Sequence, residues 1–214
     1  MTEKDLDTLC AHIAQLPMEE LTALESSGLL PPLQPANPGN HQETVAEIRR
    51  TLECIPSKEA RIHLIASIYC WLITHNRLSS WFLYRLDDTT VDITGCNLLK
   101  RVGALITPRC SDTNLVCIGN ASGCVGTVMA IDPASRRDDQ HTVLGMYVWN
   151  YIPYMAVCIS CLLSVEGYGD LFTLVFDRGH SDCLVGYYPD FDGAFAAACR
   201  HLLRAHDPDR LLDK

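Results

Sequence analysis

Three residue types in this chain have the chemistry of a nucleophilic site. Cys96 stands in Thr94-Gly95-Cys96-Asn97-Leu98-Leu99, at the head of NLLKRVGAL (97–105). If that stretch is a helix, Thr94 caps it and Cys96 falls in its first turn. There the unpaired amides and the helix dipole stabilise a thiolate. Thiol hydrolases place their nucleophile in this way and take a histidine from a distant strand, oriented by an acidic residue. His180, with Asp177 or Asp190, would fill those two roles. The expectation is a cysteine-peptidase-like hydrolase on Cys96, His180, Asp177 and Asp190, set as the alternative to a binding function. A chain with eleven cysteines and eight histidines offers one such set whatever it does.

The competing reading starts from LFTLVFDRGHSDCLVGYY (171–188), in which two apolar runs flank the polar stretch 177–182. Two strands around a turn containing Gly179 make a hairpin, and loops carried on a rigid sheet are where recognition residues concentrate. Arg178, His180, Asp182, Tyr187 and Tyr188 are therefore the expected partner-binding residues. Cys158-Ile159-Ser160-Cys161 is a C-x-x-C, but it sits in an apolar run with no second close pair of ligands, so buried packing is expected and no metal site. His63, His75, His201 and His206 read as structural or surface histidines, and Trp71, Trp81 and Phe82 as core. Gly119, Gly123 and Gly126 fall inside a predicted hairpin and not between a strand and a helix, so no phosphate cradle and no cofactor are expected.

The elements that would position these groups divide along the chain. Leu6, Leu9, Cys10, Ile13 and Leu16 recur at helical spacing, and PMEELTALESSGLL (17–30) restarts the pattern with Pro17 suited to a first turn. PPLQPANPGN (31–40) is the clearest linker. HQETVAEIRRTLEC (41–54) and SKEARIHLIASIYCWLITHN (57–76) read as helices, the second opened by Ser57, and Leu78 to Leu86 as a short aromatic helix. From Asp87 onward TTVDIT, NLVCIG, CVGTVMAID, HTVLGMYVW, LFTLVFD and CLVGYY read as strands. Asn120-Ala121-Ser122-Gly123 is a hairpin turn, and ASRRDDQ (134–140) a charged loop. YIPYMAVCISCLLSV (151–165) suits buried helix or buried strand; its length and Pro153 favour helix. DGAFAAACRHLLRAH (192–206) closes as a helix. Segregated helices and strands mean an α+β fold: an N-terminal helical segment, an antiparallel sheet and a closing C-terminal helix. The expected division is an extension (1–30), the linker (31–40), one α+β domain (41–206) and a tail (207–214).

The whole composition narrows the function classes. The 214 residues are 48% hydrophobic and 20% charged, which describes a folded chain, and the net charge is -9. That charge argues against nucleic acid and anionic lipid as partners and favours another protein with a basic surface. MTEKDLDTLC (1–10) lacks a basic segment followed by an apolar one, and the apolar runs 62–73 and 151–165 are shorter than the roughly 18–20 residues of a spanning helix. The expectation is a cytoplasmic or nuclear protein with reduced cysteines.

From Gly167 to Leu203, the order GYGDLFTLVFD, CLVGYYPDF, DGAFAAACRHLL resembles the end of the SUKH superfamily, whose domains close with a strand pair, an acidic turn and a helix laid on the sheet. The family's N-terminal Trp and Leu-Pro pattern is replaced here by LESSGLLPPL (24–33). The resemblance implies a non-enzymatic α+β interaction module of the toxin-immunity and regulatory kind, found also in large DNA viruses. The expected function is thus protein binding, with self-association through residues 1–30 as a further expectation.

Overall fold

The computed structural model describes residues 3–33, 39–75, 77–78, 80–86, 95–108, 110–119, 121–131, 140–150, 152–159 and 184–205. The helical half is built from α1 (Glu3–Ile13), α2 (Met18–Ser26), α3 (His41–Cys54) and α4 (Lys58–Thr74). Two of these starts are set by side-chain caps. Asn40 Oδ1 accepts from the Gln42 and Glu43 amides, and Ser57 Oγ accepts from the Ala60 amide at 3.2 Å. These bonds satisfy donors that a helix leaves open in its first turn. Helix α1 turns its apolar stripe inward, burying Leu6, Leu9, Cys10 and Ile13. Helix α4 is buried at every position from Ile65 to Ile73, because it lies between the other helices and the sheet.

The sheet follows, with β1 (Trp81–Arg85), helix α5 (Gly95–Ile106), β2 (Ser111–Gly119), β3 (Gly123–Ile131), β4 (Thr142–Trp149), β5 (Tyr154–Ile159), β6 (Leu184–Tyr188) and helix α6 (Phe191–Ala205). The described strands form one six-stranded sheet in the order β2-β3-β4-β5-β1-β6, with every neighbouring pair antiparallel. The fold is α+β, as expected. The β2–β3 hairpin also forms where the turn chemistry placed it, with Gly119 opposite Cys124.

Two expectations are corrected. Residues 81–85 form a strand and not a helix. Trp81-Phe82-Leu83-Tyr84-Arg85 pairs with β5 on one side and β6 on the other, and two ladders outweigh a weak local preference. The apolar run after Pro153 is likewise strand β5, not helix. It looked continuous because its side chains are buried on both faces, Tyr154, Ala156 and Cys158 in one core and Met155 and Val157 in the other, so neither face needs polar residues. Residues 34–38, 87–94, 132–139, 160–183 and 206–214, which include the expected strands TTVDIT and LFTLVFD and the 177–182 turn, lie outside the described residues.

The sheet separates two cores. On one face α1–α4 and α6 pack with Trp81, Leu83, Val116, Val125, Met129, Val143, Tyr147 and Trp149. The 1–30 segment belongs to this core through Leu9, Ile13, Leu21 and Leu24, each fully buried. On the other face α5 packs Leu99, Val102 and Ile106 against Cys124, Val128, Ala130, Leu144, Met146 and Val148. No helix among the described residues is long and apolar enough to cross a membrane.

Candidate functional site

The expected binding residues that the structure describes, Tyr187 and Tyr188, lie on β6. Phe82 and Tyr84 point to the α5 side of β1. Strand β6 pairs Tyr187 with Phe82, Gly186 with Leu83 and Leu184 with Tyr84, so Val185 is one residue too many and the strand bulges. In an unbroken strand residues 184 and 187 would point to opposite faces. The bulge brings Leu184 and Tyr187 to the same face, where they are 44% and 58% exposed. The Tyr187 ring meets Phe82 edge-on at 5.4 Å, and its hydroxyl donates to Ser80 Oγ at 3.1 Å.

Ser80 itself has φ 71°, in the left-handed region that a serine seldom occupies. Two hydrogen bonds tie it to this end of β6: its amide donates to the Pro189 carbonyl at 3.1 Å, and its hydroxyl accepts from Tyr187. The backbone before β1 is thus held in an uncommon conformation beside an exposed aromatic ring. Tyr188, on the opposite face, packs against the larger core. Asp190 is a helix cap: its Oδ1 accepts from the Gly193 amide at 2.7 Å and its carbonyl from Ala194. Arg178, His180 and Asp182 lie outside the described residues.

The alternative catalytic set is not brought together among the described residues. Helix α5 begins at Gly95 as expected, and Cys96 does sit in its first turn. Its sulfur, however, is joined to Cys124 of β3 in a disulfide with a Cα–Cα distance of 5.5 Å. The expectation of reduced thiols is corrected at this pair, the one disulfide among the described residues. Two glycines explain the closeness. A Cβ at Gly119 would stand 3.1 Å from Cys96 Sγ, and one at Gly95 3.0 Å from Cys124 Cβ, so side chains at either would crowd the bridge. A bridged sulfur offers no thiolate for a hydrolase. His180 and Asp177 lie outside the described residues, and the Asp190 carboxylate is engaged as a cap.

Sequence reasoning missed one polar pair. Asp5 of α1 takes two bonds from His141, one from its backbone amide and one at Nδ1, each 2.9 Å long. The side chains are 3% and 0% exposed, and His141 Nε2 is buried with no partner. The residues are 136 positions apart, and no local pattern announces such a pair. A separate surface depression of about 360 Å³ lies between Pro31, Arg50, Cys54 and Pro56 and includes none of the expected site residues. Among the described residues no group of three or more His, Cys, Asp or Glu is placed to hold a metal ion.

Compared with known proteins, the chain matches no family model and no curated sequence.

Proposed function

We propose that the chain is a non-enzymatic module that binds another protein through the Tyr187 surface of β6. The observation that carries this reading is the bulge at Val185, which sets two large apolar side chains, Leu184 and Tyr187, side by side and exposed. A lone exposed apolar residue means little; an aromatic with an apolar neighbour on a rigid strand is how a contact anchor is built. The uncommon backbone at Ser80, tied to the same ring, further supports it. The order of β6, the Pro189-Asp190 turn and α6, laid on β1 and β5, fits the resemblance to SUKH domains and to their regulatory use.

The net charge of -9 makes a partner with a basic surface the better match, since opposite fields raise association rate and reject wrong partners. A cytoplasmic or nuclear setting belongs to the same proposal. The test uses Leu184→Asp and Tyr187→Ala, each first shown to be folded by circular dichroism, because Tyr187→Ala also gives up the Phe82 ring contact and the bond to Ser80. Affinity capture with the wild type, compared by quantitative mass spectrometry with each variant, should reveal a partner that both variants lose. A partner set identical across the three proteins would remove β6 as the binding surface.

A further inference from the structure

The Cys96–Cys124 bridge is asymmetric. Cys124 is only 2% exposed, near the start of β3 beneath α5, whereas Cys96 is half-buried at the start of a twelve-residue helix. An incoming thiolate therefore reaches the Cys96 sulfur and not its partner. The helix does not depend on the bridge for its place, because Leu99, Val102 and Ile106 bury one stripe of α5 against β3 and β4. The surroundings are thiol-rich. Cys117, half-buried against the same core, is two residues from Gly119, whose strand partner is Cys124. Diagonal neighbours of this kind stand about 7–8 Å apart. Lys100, one helical turn beyond Cys96, brings an ammonium close enough to favour the Cys117 thiolate, although burial pushes that thiol up overall.

From this geometry we infer that Cys96–Cys124 is a reversible thiol–disulfide exchange site, in which Cys96 is the sulfur attacked and the thiol that becomes reactive. The co-reactant is a dithiol. One of its thiolates attacks Cys96 Sγ; the S–S bond breaks, and the electron pair leaves on Cys124 Sγ, which takes a proton. The second thiolate then attacks the reductant's own sulfur in the mixed disulfide and releases Cys96 as a thiolate. The sum is one protein disulfide and one dithiol giving two protein thiols and one cyclic disulfide, with two electrons passing to the protein. The released thiolate lies in the first turn of α5, where the open amides and the helix dipole lower its proton affinity. Cys124 has no such help in the apolar interior. The site is a redox sensor independent of the β6 surface, and its reactive state is switched on by reduction.

The native protein, isolated without reductant, is first blocked with N-ethylmaleimide, then treated with graded dithiothreitol, labelled with iodoacetamide and peptide-mapped. Cys96 and Cys124 should escape the first label. After reduction Cys96 should label at least about tenfold faster than Cys124, with the far-UV circular dichroism unchanged. Oxidised dithiothreitol should restore protection. Cys124→Ala should leave Cys96 permanently reactive at the same fast rate. Three results would overturn the inference: Cys96 taking the first label in unreduced protein, a bridge that yields only when the protein is unfolded, or equal labelling rates at the two sulfurs.

Discussion

Cys70 lies fully buried on α4, with its Sγ 3.1 Å from Thr127 Oγ1 on β3. Loss of hydration pushes its thiol from 9.0 up to about 12, outweighing the pull of the Thr127 hydroxyl in the other direction. The consequence for stability has a definite sign. Below pH 9 both states keep the proton. Between 9 and about 12 the unfolded chain has released it and the folded chain has not, so stability falls as pH rises. Burial also raises the Tyr84 phenol, which extends the fall to higher pH. The urea midpoint should therefore drop between pH 8 and about pH 10.5, with a limiting slope of about 1.4 kcal/mol per pH unit for the one thiol. Cys70→Ala should flatten that slope, and an equally steep slope in the variant would assign the alkaline loss elsewhere. Cysteine as a small core residue was readable from the apolar run around Cys70. The Cys96 bridge was not, because it depends on the meeting of a helix start with a strand 28 residues away.

At the scale of elements, local pattern sufficed where a cap or a turn decides the matter and failed where tertiary pairing decides. Asn40 and Ser57 cap α3 and α4 through bonds spanning a few residues, and β2 pairs with its immediate successor β3 up to Gly119 opposite Cys124. Strands β1 and β5 read as helix because their apolar runs have no alternation, which burial on both faces removes. Close packing between elements makes a separate prediction at two glycines. A Cβ at Gly123 would overlap the Val148 carbonyl oxygen and the Tyr147 ring across the β3–β4 ladder, where backbone cannot give way. Gly123→Ala should cost about 1–3 kcal/mol, as overpacking does. At Gly103 on α5 the added methyl would meet Leu115 Cδ2 at 2.8 Å, the far end of a flexible side chain. Alanine also favours a helix by about 1 kcal/mol over glycine. Gly103→Ala should thus be neutral or stabilising in the same urea titration. Equal losses at the two positions would mean that the α5 side of the sheet is as rigid as the ladder.

The whole molecule poses the question of where the N-terminal helices belong. Composition marks 31–40 as a linker and suggests that 1–30 is an extension, yet Leu9, Ile13, Leu21 and Leu24 share one core with α4 and with Trp81 and Tyr147 of the sheet. The apolar stripe of α1 is buried within the chain. The Asp5–His141 pair ties α1 to the start of β4 from inside. Unfolding followed by the fluorescence of Trp71, Trp81 and Trp149, all in this core, should therefore coincide with loss of the helical signal. Asp5→Ala removes the acceptor of two buried N–H bonds, and each buried donor left unsatisfied costs about 1–3 kcal/mol. Because α1 is part of the common core, both probes should shift together to lower urea. If the helical signal instead falls first while the tryptophans hold, residues 1–30 form a separate unit and the linker marks a true boundary. Coincident transitions would place that boundary's significance in the path of the chain and not in its stability, with the hydrophobic core overriding what proline content suggests.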